Sequence, residues 1–422
     1  MDADVVVVGA GAAGLVAAIK AAEEGAKTLL LEKMPRAGTK ILMSGGTRCN
    51  ITHHTDNRGI VEAFGPAGRF LHSALAALGV RESIALFEAE GVPTKVEETG
   101  KVFPVSNKAA DVLEALLRRL ARSGAKLVYQ EALQDLIPQK DGFRLHTTVG
   151  QREARKVILT TGGQSYPGSG TTGDGYGILA RLGHHIIPPR PALVPLTVAA
   201  AWVPTLRGLT LPDVSLTIRE ADKSQPLLRR RGSLLFAHFG LSGPVALDVS
   251  RVVSGHPEPR RLVLEIDLVP GLAEAQWDEW LRVEAAASGK KQLAALLTAW
   301  LPRRLSEEVL KLAKLDPERR GAGLTKADRL GLTATVKRLQ LGLTGTLGFG
   351  RAEVTAGGVD LKEVDSRDMQ SRKVPGLYIA GELLDLDGPI GGYNFQAAWS
   401  TGWLAGWKAA QAARSETSLS GV

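Results

Sequence analysis

Gly9, Gly11 and Gly14 stand at G-x-G-x-x-G spacing between two short apolar runs, Val5 to Val8 and Thr28 to Leu31, and Glu32 closes the second run. This is the spacing of a turn that holds a pyrophosphate. The first glycine permits the tight turn, the second lets the backbone approach the phosphates, and the third lets a helix pack closely on a sheet. Phosphate would sit on the free N–H groups and positive dipole end of a helix opening at Ala12 and Ala13. A carboxylate at the end of the second strand accepts hydrogen bonds from ribose hydroxyls and repels a 2′-phosphate, so Glu32 marks a site for an adenosine diphosphate moiety. The motif alone serves NAD and FAD equally.

Three further stretches carry ligand chemistry. Ser44, Gly45, Gly46 and Thr47 form a small-residue segment beside cationic Lys40 and Arg48, which suits a backbone draped over phosphate or a flat ring. The glycine- and hydroxyl-rich run TTGGQSYPGSGTTGDGYG follows the apolar strand Lys156 to Thr161, at the strand end where open α/β sheets bind ligands. Near the other end of the chain, GLYIAGELLD is a strand with Glu382 at its end, followed by the turn Gly388 to Gly392 and a helix opening at about Asn394. The N–H groups of Gly392, Tyr393 and Asn394 would present partial positive charge. Such a helix start stabilises the negative charge that appears on the N1–C2=O edge of a reduced flavin.

The runs that position these residues are too short for buried helices and too aliphatic for exposure, so they read as strands of a parallel sheet covered on both faces. Residues 58 to 125 read as mainly helical, with periodic segments Phe70 to Glu90 and Lys108 to Arg122, the second capped by Ser106 or Asn107. Short strands with a turn at Lys140-Asp141-Gly142 follow. Pro188, Pro189, Pro191 and Pro195 read as a linker into an inserted module over 190–349, β-rich over 190–272 and helical over 273–349. The nucleotide-binding domain would then comprise residues 1–189 completed by 350–422.

With 44% apolar and 23% charged residues, the chain of 422 can bury a large core. Its formal charge is +8. The basic doublets and triplet, Arg118-Arg119, Arg229 to Arg231, Arg260-Arg261, Arg303-Arg304 and Arg319-Arg320, are scattered and mostly lack aromatic neighbours, so they read as solvated faces. A small-molecule substrate is therefore expected, with nucleic acid as the lesser alternative. The single cysteine, Cys49, excludes an intrachain disulfide and a C-x-x-C redox pair. No signal peptide is apparent and no apolar run approaches the ~18 residues of a membrane span, so a cytoplasmic protein without a membrane partner is expected. No metal site is assigned.

The blocks GAGAAG, KILMSGGTRCNIT, FPVSNKAADV, TTGGQSYPGSGTTGDGYG, HFGLSGP, EVTAGGV and GLYIAGELLDLDGPIGGYNFQAAWSTGWLAG together resemble the BaiN/YhiN-like flavoproteins, also labelled aminoacetone-oxidase-family FAD-binding enzymes. More distantly, TTGDG and its strand look like the fumarate reductase and succinate dehydrogenase flavoproteins. The resemblance spans nearly the whole chain. It implies an α/β fold in which a glutathione-reductase-like, Rossmann-type FAD-binding domain carries an inserted β-barrel plus helical region. Carried over by position, Gly9 to Gly14 would hold the pyrophosphate and Glu32 the adenosine ribose. Lys33, Lys40 and Ser44, Gly45, Gly46, Thr47, Arg48, Cys49, Asn50 and Ile51 would line the cofactor, with a backbone group near Leu133 at the adenine. Thr161, Gly162 and Gly163 would pack near the pyrophosphate and ribityl chain. Gly381, Glu382 and Asp387 would lie on the ribityl side, and Gly391, Gly392, Tyr393, Asn394 and Phe395 at the flavin ring. Thr47 departs from the family's third glycine, and a β-branched residue there is not expected at positive φ.

The function implied is an FAD-dependent oxidoreductase moving a hydride through flavin N5 to or from a small organic substrate. Reduction of a conjugated double bond with NAD(P)H as donor comes first. Amine oxidation, an RNA-modifying or RNA-binding flavoprotein, and a flavin carrier without turnover are the alternatives. Tyr393 and His238 are the leading catalytic candidates, ahead of Tyr166, Arg48 and Cys49.

Overall fold

In the computed structural model, which describes residues 1–419, the chain divides into two compact units: Met1–Pro191 with Glu353–Val422, and Ala192–Ala352. In the first unit, Val5 to Val8 and Leu29 to Leu31 are buried along their whole length, as aliphatic runs covered on both faces must be. They form parallel neighbours in register, Val5 opposite Thr28 and Val8 opposite Leu31. The strand Lys126–Val128 extends this sheet beyond Thr28–Leu31, and Gly150–Leu159 joins it on the other side of Ala3–Val8. Leu377–Ile379, from the far end of the sequence, pairs parallel with Val157 to Leu159. The hairpin Leu133–Gln139 and Gly142–Thr147 turns at Lys140-Asp141 and completes a seven-stranded sheet.

The helix Ala12–Glu23 leaves the first strand at the glycine turn, and the C-terminal helix Tyr393–Leu419 packs along it. Small residues set that approach. A Cβ at Gly402 would sit 2.2 Å from the Ala13 carbonyl oxygen, and one at Gly406 2.2 Å from that of Ala17. Two glycines one helical turn apart thus hold the two backbones close.

Several expectations are corrected. Between the helical segments lie the strands Thr94–Val96 and Lys101–Pro104, which form a three-stranded antiparallel sheet with Thr52–His53. Helix Ala109–Ser123 starts at Lys108 without a side-chain cap, because the Ser106 hydroxyl accepts only from the Lys108 N–H at 3.3 Å and Asn107 adopts φ 56°. The proline run is not a free linker. Ile186–Ala192 pairs with Val354–Val359 in a two-stranded ribbon, where prolines are tolerated because each strand has an unpaired edge.

In the second unit, six antiparallel strands close into a barrel in the order Leu196–Val198, Gly240–Ser242, Leu228–Ala237, Thr210–Glu220, Leu262–Asp267 and Leu339–Thr346. Alternation fills it: Leu216, Ile218, Leu264, Ile266, Leu341 and Leu343 are buried. The closing strand lies inside the segment read as helical, so the helical part ends at Lys337. Its helices Glu274–Ala287, Leu293–Leu297, Arg303–Leu312 and Lys326–Lys337 pack around Trp277, Leu281, Leu305 and Val309. Among the described residues, no single helix is long and apolar enough to cross a membrane.

Candidate cofactor site

Backbone close approach builds the first part of the site. A Cβ at Gly14 would stand 1.8 Å from the Gly9 carbonyl oxygen, so only glycine lets the helix Ala12–Glu23 pack this tightly on its turn. At Gly11, by contrast, a Cβ would meet no atom within 4 Å. The helix start has no side-chain cap and no acid in its first turn, which leaves its partial positive charge uncompensated. Glu32 is held beside it, its two oxygens accepting from the Ala10 N–H at 2.7 Å and the Met34 N–H at 2.8 Å. Burial raises the pKa of this carboxyl, against the lowering effect of those two bonds. Glu131 N–H donates to the Glu32 carbonyl, which brings the chain entering Leu133 alongside.

A second cluster joins four sequence blocks. Lys40 Nζ lies 2.6 Å from Glu382 Oε2 and 2.5 Å from Ser165 Oγ, and Ser165 Oγ donates to Glu382 Oε1 at 2.6 Å. The Thr355 N–H donates to the same Glu382 oxygen at 2.8 Å, and Gly163 is the residue whose absent Cβ leaves room for Thr355 and Glu382. Lys33 bridges to Thr172 and Asp174 of the TTGDG turn. Ser165 and Thr355 were not singled out in the sequence; both sit inside the quoted glycine blocks.

The third part interlocks residues 49–53 with 391–399. Gln396 is fully buried; its Oε1 accepts from the Thr52 hydroxyl at 2.7 Å, and its Nε2 donates to Leu78 O, Ser83 Oγ and Ser400 Oγ. Trp399 Nε1 donates to the Ile51 carbonyl at 2.9 Å. His53 stacks on Tyr393 with ring centroids 4.5 Å apart and donates from Nδ1 to the Gly391 carbonyl at 3.1 Å. Burial depresses the His53 pKa, with the Gly391 contact opposing it. Thr52, His53, Gln396 and Trp399 escaped the sequence reading because an ordinary Thr, His, Gln or Trp beside a glycine turn carries no spacing signal.

Three of the expected lining residues have other partners. Asn394 pins the preceding turn, accepting from Gly388 N–H and donating to the Gly388 and Pro389 carbonyls, and Phe395 stacks on Trp399 at 5.3 Å. Arg48 lies over the Phe103 ring at 3.9 Å and pairs with Glu97 at 2.6 Å. Gly381 takes φ 73° against Ala13, and Asp387 is buried. His238 belongs to the barrel unit, exposed at the turn between Leu228–Ala237 and Gly240–Ser242, its ring edge-on to Phe239.

Thr47 corrects the expectation for its position: it does adopt positive φ, 69°, continuing the left-handed pair Gly45 and Gly46 within a helix broken at Ser44. Thr47→Gly should relieve that strain and raise the unfolding free energy measured by denaturant titration by about 0.5–1 kcal/mol, after the extra freedom of glycine in the unfolded chain is subtracted. Cys49 is wholly buried and burial pushes its thiol up to about 12. Native protein at pH 8 should therefore resist iodoacetamide and be labelled at once after unfolding; rapid native labelling would contradict this burial.

The residues fit FAD on two observations. Asn50 Oδ1 and Thr161 Oγ1 are buried without a hydrogen-bond partner, each in a segment expected to line the cofactor. Open space above Gly11 and an uncapped helix start are what a pyrophosphate needs. Strand order, glycine turn and barrel insertion together define a Rossmann-type FAD-binding flavoprotein fold. The chain belongs to the family described as HI0933-like protein Rossmann domain, whose pattern matches residues 3–408. It is 32% identical over 403 residues to the ribosomal RNA dihydrouridine synthase of Escherichia coli, covering 95% of this chain and 96% of that protein. It is 31% identical over 408 residues to the 3-dehydro-bile acid delta(4,6)-reductase of Clostridium scindens, covering 96% and 98%. In fold alone it is similar to 3-ketosteroid delta1-dehydrogenase from Sterolibacterium denitrificans, with TM-score 0.52 at 13% identity over 97% of this chain and 99% of that one.

Proposed function

We propose that this flavoprotein oxidoreductase reduces a carbon–carbon double bond conjugated to a carbonyl, that the double bond is C5=C6 of a uracil ring in RNA, and that NAD(P)H is the electron donor. The location of the charge carries the RNA half. Residues 192–352 hold 23 Lys and Arg against 16 Asp and Glu, while the remaining chain holds 29 against 28. Four of the five basic clusters thus fall in one unit, and an excess of positive charge attracts a polyanion. The two relatives support the reaction type. Dihydrouridine is uridine saturated at a bond conjugated to the C4 carbonyl, and 4,6 double bonds in a 3-dehydro steroid are conjugated to the C3 carbonyl.

FAD, when bound, supplies the two-electron chemistry. Saturation adds a hydride to the β-carbon and a proton to the α-carbon. The chain's part is to bind, orient and deliver that proton. The start of the helix Tyr393–Leu419 offers partial positive charge to a developing anion. Tyr393 is the proton carrier we assign, because its ring is fixed by the stack on His53 at the first residue of that helix. Incubation with NADPH and RNA transcribed without modifications, followed by mass spectrometry of the nucleosides, should yield dihydrouridine. Reduction of a steroid enone with no change in RNA would overturn the RNA half. Oxygen consumption with an amine, without NAD(P)H, would overturn the reductase.

A further inference from the structure

The helical part of the Ala192–Ala352 unit carries a cluster of three indoles. Trp277 is fully buried and stacks on Trp280 with centroids 5.0 Å apart. Trp300 stands edge-on to both, at 6.2 Å from Trp277 and 6.0 Å from Trp280, with interplanar angles of 76° and 84°. Yet Trp300 is 42% exposed. A tryptophan needed only to cover Trp277 would lie flat on it; this one stands edge-on to two rings and keeps much of its surface in solvent.

Positive charge flanks it on both sides in the chain. Arg303 and Arg304 follow within four residues, the first in an exposed pair with Glu307 and the second donating to the Thr205 carbonyl. The helix Leu293–Leu297 precedes it, and at the other end of that helix Gln292 bridges to Arg320 while the Gly321 N–H donates to the Lys291 carbonyl. Lys290 and Arg320 are exposed on these joined loops, and neither has a carboxylate within ion-pair distance among the described residues. An exposed indole packed edge-on to two rings, with the exposed cations Arg303 and Arg304 after it and the unpaired Lys290 and Arg320 on the loops beyond the preceding helix, has the composition of a single-strand nucleic-acid platform, where a base stacks on the ring and cations meet phosphates.

The geometry points to a single-stranded RNA docking surface centred on Trp300, with Lys290, Arg303, Arg304 and Arg320 as its phosphate contacts. The inference deepens the RNA reading above by naming where the RNA is held, and it rests on that reading. Poly(U) is the probe. Binding should quench tryptophan fluorescence and weaken steeply with salt. Trp300→Ala should weaken poly(U) binding about tenfold or more and remove most of the quench. Lys290→Glu with Arg320→Glu should lower the salt slope by about 1–2, as loss of two phosphate contacts requires. Far-UV circular dichroism and flavin content would establish that each variant is folded.

Unchanged affinity in both variants, with wild-type protein forming dihydrouridine, would overturn this surface and leave the reaction standing. Poly(U) binding lost in both variants, with wild-type protein forming no dihydrouridine, would leave the surface standing and overturn the reaction. Retention on phosphatidylglycerol vesicles through the same residues, without poly(U) binding, would overturn the RNA assignment in favour of a lipid surface.

Discussion

Gly11→Val protein is expected to fold like the cofactor-free wild type and to be purified nearly colourless. The added side chain projects into space where no protein atom lies within 4 Å, and the residue's φ of −84° suits valine, so no packing is lost. That space is where the backbone would approach a pyrophosphate. A branched side chain there should weaken FAD binding about a hundredfold or more, which is roughly 2.7 kcal/mol. Gly14→Ala makes the contrast: its Cβ would collide with the Gly9 carbonyl oxygen at 1.8 Å, and the protein should fail to fold rather than fold empty. Adding Glu32→Arg to Gly11→Val should abolish residual binding. Wild-type flavin content in Gly11→Val would show that the phosphates lie elsewhere. The readouts are absorbance of the purified protein and equilibrium titration with FAD.

Gln396→Leu should cost about 3–5 kcal/mol in denaturant unfolding of the unit that holds it. Removing one member of a buried polar network strands the others, at roughly 1–3 kcal/mol per unsatisfied group. Here the Thr52 hydroxyl loses its acceptor and Ser83 a donor, in a setting with no access to water. Flavin content should fall with stability, because Thr52 precedes His53, whose ring orients Tyr393. Gln396→Glu keeps an acceptor for Thr52 but gives up the amide donor to Leu78, Ser83 and Ser400, and should fall between the two. An unchanged unfolding midpoint in Gln396→Leu would contradict the network.

The glycine turn, the acid at the end of the second strand and a β-rich insertion were legible because each leaves a periodic or positional trace, whereas the closure of that insertion into a barrel was implied only by the family resemblance. Val5 to Val8 is a strand by composition alone, and Gly14 is glycine because its neighbour's carbonyl leaves no room for anything else. Long-range pairing left no such trace. Thr52 meets Gln396, Lys40 meets Glu382 and Leu339–Thr346 closes a barrel begun at Leu196 only through tertiary folding. The hairpin Thr94–Val96 and Lys101–Pro104 hid between two strongly helical segments, and its partner Thr52–His53 is only two residues long. Thr47 shows the limit of propensity: a β-branched residue takes a left-handed conformation when the surrounding loop determines it.

The parallel strand Leu377–Ile379 and the helix that lies in the groove of Ala12–Glu23 come from beyond the insertion, and this orders the protein's birth. On a translating ribosome the first 191 residues are complete while the covering helix is still some two hundred codons away, roughly 10–40 seconds at ordinary elongation rates. During that interval the edge of Gly150–Leu159 lacks its neighbour, and the face of the first helix around Ala13 and Ala17 is bare. The barrel unit has its own core and its own closed strand ladder, so it can mature inside this waiting period. The part of the candidate cofactor site built by Gly381 to Phe395 is therefore a late product of synthesis, joined to the glycine turn only when the last helix arrives.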